Sequence, residues 1–192
     1  LRIPRVLAVG QDFGGRVARR LAAMRPERVA GVVAVSPGTP LDEPEPEIVA
    51  VQARTGPALL EISSRPLGVV DLVMPALRAA VRDPDAGPPT RFARYAAPYT
   101  GQLGARHLLD LARAIAEDTD VSPAVPVEVP TTLVLGEDDP LPAPVGDPDV
   151  VRLPGARRLL PEETPHALAD VLLTRVQRTF DASTLPNAVR IG

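Results

Sequence analysis

One carboxylate stands out among the residues of this chain that could do chemistry. Asp12 lies between Gly10 and Gly14 in the segment GQDFG, with a short apolar run at Val6–Val9 before it. The flanking glycines predict a turn so sharp that it leaves no room for a side chain on either side of Asp12. Such a turn forces the central residue into a strained conformation and lifts its side chain clear of the sheet. A carboxylate held in this way can attack a saturated carbon and form an ester, which another group must help water to cleave.

The elements around Asp12 suit this chemistry. The run before it is typical of a buried strand, and the apolar residues behind it recur at helical spacing: Val17, Ala18, Leu21 and Met24. The pattern therefore predicts a strand, a tight turn and a helix in direct succession. The alternative is an ordinary strand-to-helix turn in which Asp12 serves as the helix N-cap, since Asp is a favoured residue at that position.

The segment resembles the nucleophile elbow of the α/β-hydrolase superfamily. Within it, Gln11–Gly15 is similar to the Asp-nucleophile branch, the haloalkane dehalogenases and epoxide hydrolases. Arg25–Pro37 is similar to the turn and parallel strand that follow the elbow helix in that family, with the strand at about Val32–Val35. The resemblance implies an α/β fold with a parallel sheet flanked by helices and a helical cap inserted after this strand.

The chain reaches Asp12 almost at once, whereas several strands precede the elbow in the family. It therefore resembles the C-terminal part of an α/β-hydrolase fold, with core residues at 1–40, a helical cap at 41–126 and further core at 127–192. The strand at residues 5–9 would then be an apolar sheet edge. We expect a second copy of the chain or a complementing segment to cover that edge.

A second acid lies where open α/β sheets bind their ligands, at the carboxyl end of a strand. Residues 131–140 (TTLVLGEDDP) predict a buried strand that ends at Gly136. The resemblance implies that Asp139, three residues further on, is the acid that orients a catalytic histidine. Asp138 is the neighbour with which it could be confused, and a plain Asp-rich turn is the structural alternative.

The histidine itself is replaced. Residues 154–163 (PGARRLLPEE) are similar to the motif that ends the triad in this family, PGAGHFLPEE, but Arg158 stands at the histidine position. A guanidinium stays protonated at any relevant pH, so it cannot act as a general base. His166 and His107 are weak candidates for that role. Thr164 and Pro165 fit the N-cap and first position of the last helix, which places His166 in an exposed first turn.

Two further sets of residues belong to the expected pocket. Phe13 supplies a backbone N–H for an oxyanion hole, with Gln11 beside it. The dehalogenases place Trp at the position of Phe13, and Phe lacks the indole donor, which favours epoxide opening over dehalogenation. Tyr95 and Tyr99 are the only tyrosines and lie in the expected cap, where epoxide hydrolases use two tyrosines. The alternative is that they tie the cap to the core.

Composition narrows the function classes. The net charge of −3 is too mild to favour a nucleic acid or an anionic membrane as partner. Cysteine is absent, there are two histidines, and no metal-binding motif occurs, so we expect no metal or other cofactor. No apolar run approaches the length of a membrane span, and the first residues do not resemble a signal peptide. These features predict a soluble, cytoplasmic protein with a small apolar molecule as its partner.

Two classes of function remain. The first is an epoxide-hydrolase-like hydrolase in which Asp12 attacks a small apolar electrophile, with catalysis impaired by the missing base. The second is a degenerate, non-hydrolytic family member that binds or shapes a biosynthetic ligand or acts as an interaction module. Asp12 and Asp139 favour the first class, and Arg158 favours the second.

Overall fold

The computed structural model describes residues 3–37, 68–86, 90–117, 127–140 and 149–180. The chain divides into two compact units. The first combines Leu1–Gly38 with Pro123–Gly192, and the second is Thr39–Ser122. Both ends of the chain thus contribute to one unit, and the other is an insertion between them.

The first unit is built on a parallel four-stranded sheet with the strand order β1-β2-β3-β4. The helices α1, α5 and α6 belong to the same unit, so the predicted parallel sheet with flanking helices is confirmed. The elements are β1 (Val6–Gln11), α1 (Phe13–Met24), β2 (Val29–Val35), β3 (Thr131–Gly136), β4 (Val150–Leu153), α5 (Leu160–Glu163) and α6 (Pro165–Thr179).

The core lies on both faces of β2 and β3, where every residue is buried. Such continuous apolar runs are typical of parallel strands that are covered on both sides. On one face, Ala18 and Ala22 of α1 pack with Val32, and on the other, Val33 packs with Leu160 and Leu168. The centre of the sheet is thereby fixed, and the carboxyl ends of its strands are held in register.

Helix α1 buries a different face from the one that its large apolar residues suggest. Gly15, Ala18 and Ala22 are buried, whereas Val17, Leu21 and Met24 are 43% to 63% exposed. A Cβ added at Gly15 would lie 3.1 Å from the Gly10 carbonyl oxygen. The small residues of α1 are buried because the helix approaches the strand closely, and only small side chains permit this approach.

Strand β1 is an edge of the sheet. It pairs with β2 along its whole length, and in the described ranges no other strand pairs with it. Val6 is 37% and Val9 49% exposed, and Ile3 just before the strand is 49% exposed.

The described part of the second unit is helical. It contains α2 (Gly68–Ala79), α3 (Ala93–Ala96), a 3₁₀ turn (Ala97–Tyr99) and α4 (Gly101–Glu117). Pro75 lies inside α2, and Val81, just beyond the end of that helix, is buried. Of the cap expected at 41–126, residues 41–67, 87–89 and 118–126 lie outside the described residues.

Among the helices of the described ranges, none is both long enough and apolar enough to cross a membrane.

Candidate active site

Asp12 occupies a strained turn between β1 and α1. Its φ is 51° and its ψ is −123°, a conformation that side chains rarely adopt. The Asp12 N–H donates to the Val35 carbonyl at 2.9 Å, and the Asp12 carbonyl accepts from the Gly15 N–H at 2.9 Å. These bonds hold the strained residue at the carboxyl end of the sheet. The strained conformation predicted for Asp12 is confirmed.

The two glycines of the GQDFG segment are not equivalent. A Cβ at Gly10 would lie 1.9 Å from the Gly14 carbonyl oxygen, so no side chain fits there. A Cβ at Gly14 would meet nothing within 4 Å, and the expectation that this second glycine is required is wrong. The second tight position is Gly15, whose Cβ would lie 3.1 Å from both the Gly10 carbonyl oxygen and the Pro37 Cβ.

The Asp12 carboxylate does not cap α1. Asp12 stands at the N-cap position, but its side chain makes no cap hydrogen bond, and 61% of that side chain is exposed. The alternative assignment of Asp12 as a helix cap is therefore wrong. Its strained backbone serves instead to present an accessible carboxylate at the end of β1.

Arg158 faces this carboxylate. Its Nη2 atom lies 3.7 Å from Asp12 Oδ1, and its side chain is only 19% exposed. The Gln11 side-chain amide donates to the Arg158 backbone carbonyl at 3.2 Å, across 147 positions of the chain. We call residues 154–159, between β4 and α5, the Arg158 loop. The structure thus brings three of the predicted site residues together: Gln11, Asp12 and Arg158.

Asp139 lies at the end of β3 and is 6% exposed, whereas its neighbour Asp138 is exposed. The Asp139 N–H donates to the Gly136 carbonyl at 3.2 Å, and the Asp138 N–H donates to the Ala156 carbonyl at 3.0 Å. A Cβ at Gly136 would lie 2.0 Å from the Arg157 carbonyl oxygen. This turn therefore packs directly against the Arg158 loop. Of the two acids, Asp139 is buried and Asp138 is exposed.

The weaker candidates belong to both units of the chain. His166 is exposed in the first turn of α6, as expected, and Thr164 stands at the N-cap position without a side-chain cap bond. His107 is exposed on α4, in the second unit. Tyr95 and Tyr99 also belong to the second unit, and both are half-buried.

Two residues near Asp12 escaped the sequence analysis. Arg16 lies one helical turn after Asp12, and its Nε donates to the Pro37 carbonyl at 3.2 Å while its guanidinium stacks 5.8 Å from the Phe13 ring centroid. Ser36 follows Val35 at the end of β2, is 1% exposed and has a φ of 36°. Two features of the sequence could have indicated them. Arg16 follows Asp12 at a spacing of four residues, and Ser36 directly follows the strand that neighbours β1.

The donor set does not favour a metal. Within the described ranges, no three His, Cys, Asp or Glu residues lie close enough together to hold an ion. The groups available at the carboxyl ends of β1 and β3 include the exposed carboxylate of Asp12, the mostly buried guanidinium of Arg158, the buried carboxylate of Asp139 and backbone N–H groups. Phe13 is the first residue of α1, and the first N–H groups of a helix have no acceptor within it.

Comparisons with known proteins bear on the fold of the chain. A family model described as the alpha/beta hydrolase fold matches residues 1–60. Among curated protein sequences, none matches the chain. Three similar solved structures are Cfl2 from Burkholderia cenocepacia, an alpha/beta hydrolase fold protein from Burkholderia ambifaria and juvenile hormone epoxide hydrolase from the silkworm Bombyx mori.

The likeness to these structures is one of fold. Identities are 21%, 22% and 13%, and TM-scores are 0.68, 0.66 and 0.73, in the same order. The matches cover 90%, 90% and 93% of this chain, but only 66%, 66% and 50% of the three proteins. The chain thus spans less than two thirds of their length, and its parallel sheet with flanking helices is part of an α/β-hydrolase fold.

Proposed function

We propose that the chain carries an Asp-nucleophile site of the epoxide-hydrolase type with an impaired second step. One observation carries the proposal: Asp12 holds an accessible carboxylate in a strained turn at the end of β1, without using it as a helix cap. Strained residues persist where the surrounding structure fixes them, and they cluster at active sites. The fold that the chain shares with an epoxide hydrolase supports the same conclusion.

In the proposed reaction, an Asp12 carboxylate oxygen attacks one carbon of an epoxide. A C–O ester bond forms, the ring C–O bond breaks, and the ring oxygen takes the electron pair and then a proton from water. Backbone N–H groups at the start of α1 are placed to stabilise negative charge on the ester carbonyl during a later attack by water. The product of this half-reaction is a hydroxyalkyl ester on Asp12.

Hydrolysis of the ester requires a base that activates water. Arg158 stands near Asp12, where the family's histidine is expected, and its guanidinium cannot accept a proton. The proposed orienting acid, Asp139, is buried at the end of β3 next to the Arg158 loop. Without a base for it to orient, the ester accumulates and the first half-reaction dominates.

A second candidate function rests on the same arginine. A protein that keeps the fold but only binds a ligand has no need of a general base, and the contact between Arg158 and Asp12 neutralises the nucleophile. In that case the carboxylate serves as a binding group and forms no bond to the ligand.

Intact-protein mass spectrometry after incubation with a panel of epoxides and alkyl halides, followed by peptide mapping, separates these functions. We expect a persistent adduct on Asp12, which is absent in Asp12→Asn and present in Asp170→Asn. Asp170 is an exposed carboxylate of α6 and controls for the loss of one charge. A folded protein that shows neither adduct nor product would contradict the hydrolase proposal and favour ligand binding. Product without a trapped adduct would mean that another residue supplies the base, and His166→Ala and His107→Ala would identify it.

A further inference from the structure

The Arg158 guanidinium lies beside Asp12, where it could bind a negatively charged group of a substrate. The Arg158 side chain is about four-fifths buried, and its Nη2 atom lies 3.7 Å from Asp12 Oδ1. That distance is too long for a hydrogen bond between these two atoms, so this contact is one of charge alone. A guanidinium carries five N–H donors in a planar fork that matches a carboxylate.

The geometry of nucleophilic attack on a carbon atom determines which part of the substrate lies near Arg158. The attacking oxygen, the carbon and the leaving oxygen lie roughly in line, and the other substituents of the carbon surround that line. Arg158 Nη2 lies 3.7 Å from Asp12 Oδ1, so if this oxygen attacks, the cation is nearer to the substituents on its side of the carbon than to the leaving oxygen on the far side. The charge of Arg158 consequently matches an anionic substituent near the reacting carbon better than the leaving group.

We propose that the electrophile taken by this site is a small epoxide that carries a carboxylate on a ring carbon, a 2,3-epoxy acid. The inference rests on the proposed function, because it assigns the substrate of the same Asp12 nucleophile. It replaces the apolar electrophile that the sequence predicts. Arg158 is the residue that recognises the substrate carboxylate.

Charge balance across the reaction supports this assignment. Before attack, the negative charge of Asp12 faces the positive charge of Arg158. Once Asp12 becomes an ester it is neutral, so attack on a neutral epoxide removes one negative charge from beside a mostly buried guanidinium. An epoxy acid brings its own carboxylate, which restores a negative charge beside Arg158 and stabilises the adduct.

The Gln11 contact keeps Arg158 in this place. The Gln11 amide binds the backbone carbonyl of Arg158 and not its guanidinium. Gln11 immediately precedes the nucleophile, so the position of Arg158 is tied to the strand that carries Asp12. Gln11 is therefore a positioning residue for the recognition of the carboxylate.

The test compares two epoxides that differ in charge and little in shape, oxirane-2-carboxylate and oxirane-2-carboxamide. The rate at which each forms the Asp12 adduct is measured for the wild-type chain, for Arg158→Gln and for the control Arg178→Gln. Arg178 is an exposed residue of α6. We expect the carboxylate to react about tenfold faster or more with the wild type and the control, as a charge-assisted contact allows. In Arg158→Gln the ratio should fall to one or below, because Asp12 then repels the anion.

The amide serves as the internal standard. Adduct formation with the amide in Arg158→Gln, at whatever rate, shows that the variant is folded and that its nucleophile is intact, and the ratio of the two rates corrects for any change in the reactivity of Asp12. The inference is overturned if the amide labels wild-type Asp12 as fast as the carboxylate, or if the ratio survives in Arg158→Gln. If no epoxide of either kind labels Asp12, the proposed function itself fails, and with it the substrate assignment.

Discussion

Two turns at the carboxyl end of the sheet have a similar sequence pattern but differ in which part of the chain packs against their glycine. Each has a glycine followed by an aspartate, Gly10 with Asp12 after β1 and Gly136 with Asp139 after β3. A Cβ at either glycine would overlap backbone, at 1.9 Å and 2.0 Å. At Gly10 the obstructing atom belongs to Gly14 of the same turn, whereas at Gly136 it belongs to the distant Arg157.

This difference extends to the two carboxylates. The turn closed by its own backbone presents Asp12 with 61% of its side chain exposed, and the turn closed by a distant loop buries Asp139 to 6% exposure. An exposed carboxylate can meet a substrate, and a buried one is suited to holding another group in orientation. The locally determined turn therefore suits the attack that we propose for Asp12, and the tertiary one suits the orienting role that we propose for Asp139.

The largest effect expected from this comparison is at Arg158. If the Asp139 turn still supports a base, Arg158→His should shorten the lifetime of the Asp12 adduct by about 100-fold or more, the usual contribution of general-base catalysis. The lifetime is measured by mass spectrometry after the electrophile is removed. Arg178→His is the control, since it places a histidine on the surface of α6.

The double variant Arg158→His with Asp139→Asn sharpens the same point. The gain in hydrolysis should largely disappear, because a histidine without its orienting carboxylate loses most of its activity as a base. An adduct that is equally stable in Arg158→His and in the wild type would show that the Asp139 turn has no remaining catalytic role.

The next effect concerns the closure of the first turn. Gly10→Ala should lower the free energy of unfolding by about 3 kcal/mol, since a Cβ cannot be placed there without moving backbone. Gly14→Ala, in the same turn and helix, meets open space and should be neutral or stabilising by up to about 1 kcal/mol. Urea titration of both variants measures the difference, and equal stabilities would contradict the local closure of this turn.

Gly136→Ala should have a smaller effect on stability and a distinct effect on recognition. The Cβ would overlap the backbone of the Arg158 loop, which must move to admit it, so we expect a loss of about 1–3 kcal/mol. Movement of that loop displaces Arg158 from Asp12, and the preference for the epoxy acid over its amide should fall. Adduct formation with the amide should continue at the wild-type rate, because the Asp12 turn is unaffected. A preserved preference would show that the two turns are independent.

Features that depend on local contacts are predicted by the sequence, whereas features that depend on contacts with a distant loop are not. The strained conformation of Asp12 follows from a glycine-flanked turn between a strand and a helix, and all of that information lies within a few residues. The parallel sheet and the buried β3 are likewise evident from continuous apolar runs. Burial of Asp139 rather than Asp138 depends on the Arg158 loop, which local patterns do not place.

The failures have physical causes of the same kind. Gly14 was expected to be essential because it flanks the nucleophile, but the helix turns its Cβ position toward open space, and the tight position is Gly15. The exposed stripe on α1 follows from the close approach of helix and strand, which favours Ala18 and Ala22 over larger residues. The contact between Gln11 and Arg158 joins residues 147 positions apart, beyond any local pattern.

The smallest expected effect tests the link between the two turns, the hydrogen bond from Gln11 to the Arg158 carbonyl. Gln11→Met keeps the length of the side chain and removes the donor, which should cost about 1 kcal/mol of stability. Arg158 is then held less well beside Asp12, so the preference for the epoxy acid should fall a few-fold while the rate with the amide stays the same. In the Arg158→Gln background the same substitution should leave the ratio unchanged, because no guanidinium remains to be positioned. A few-fold loss in both backgrounds would instead mean that Gln11 contacts the substrate directly.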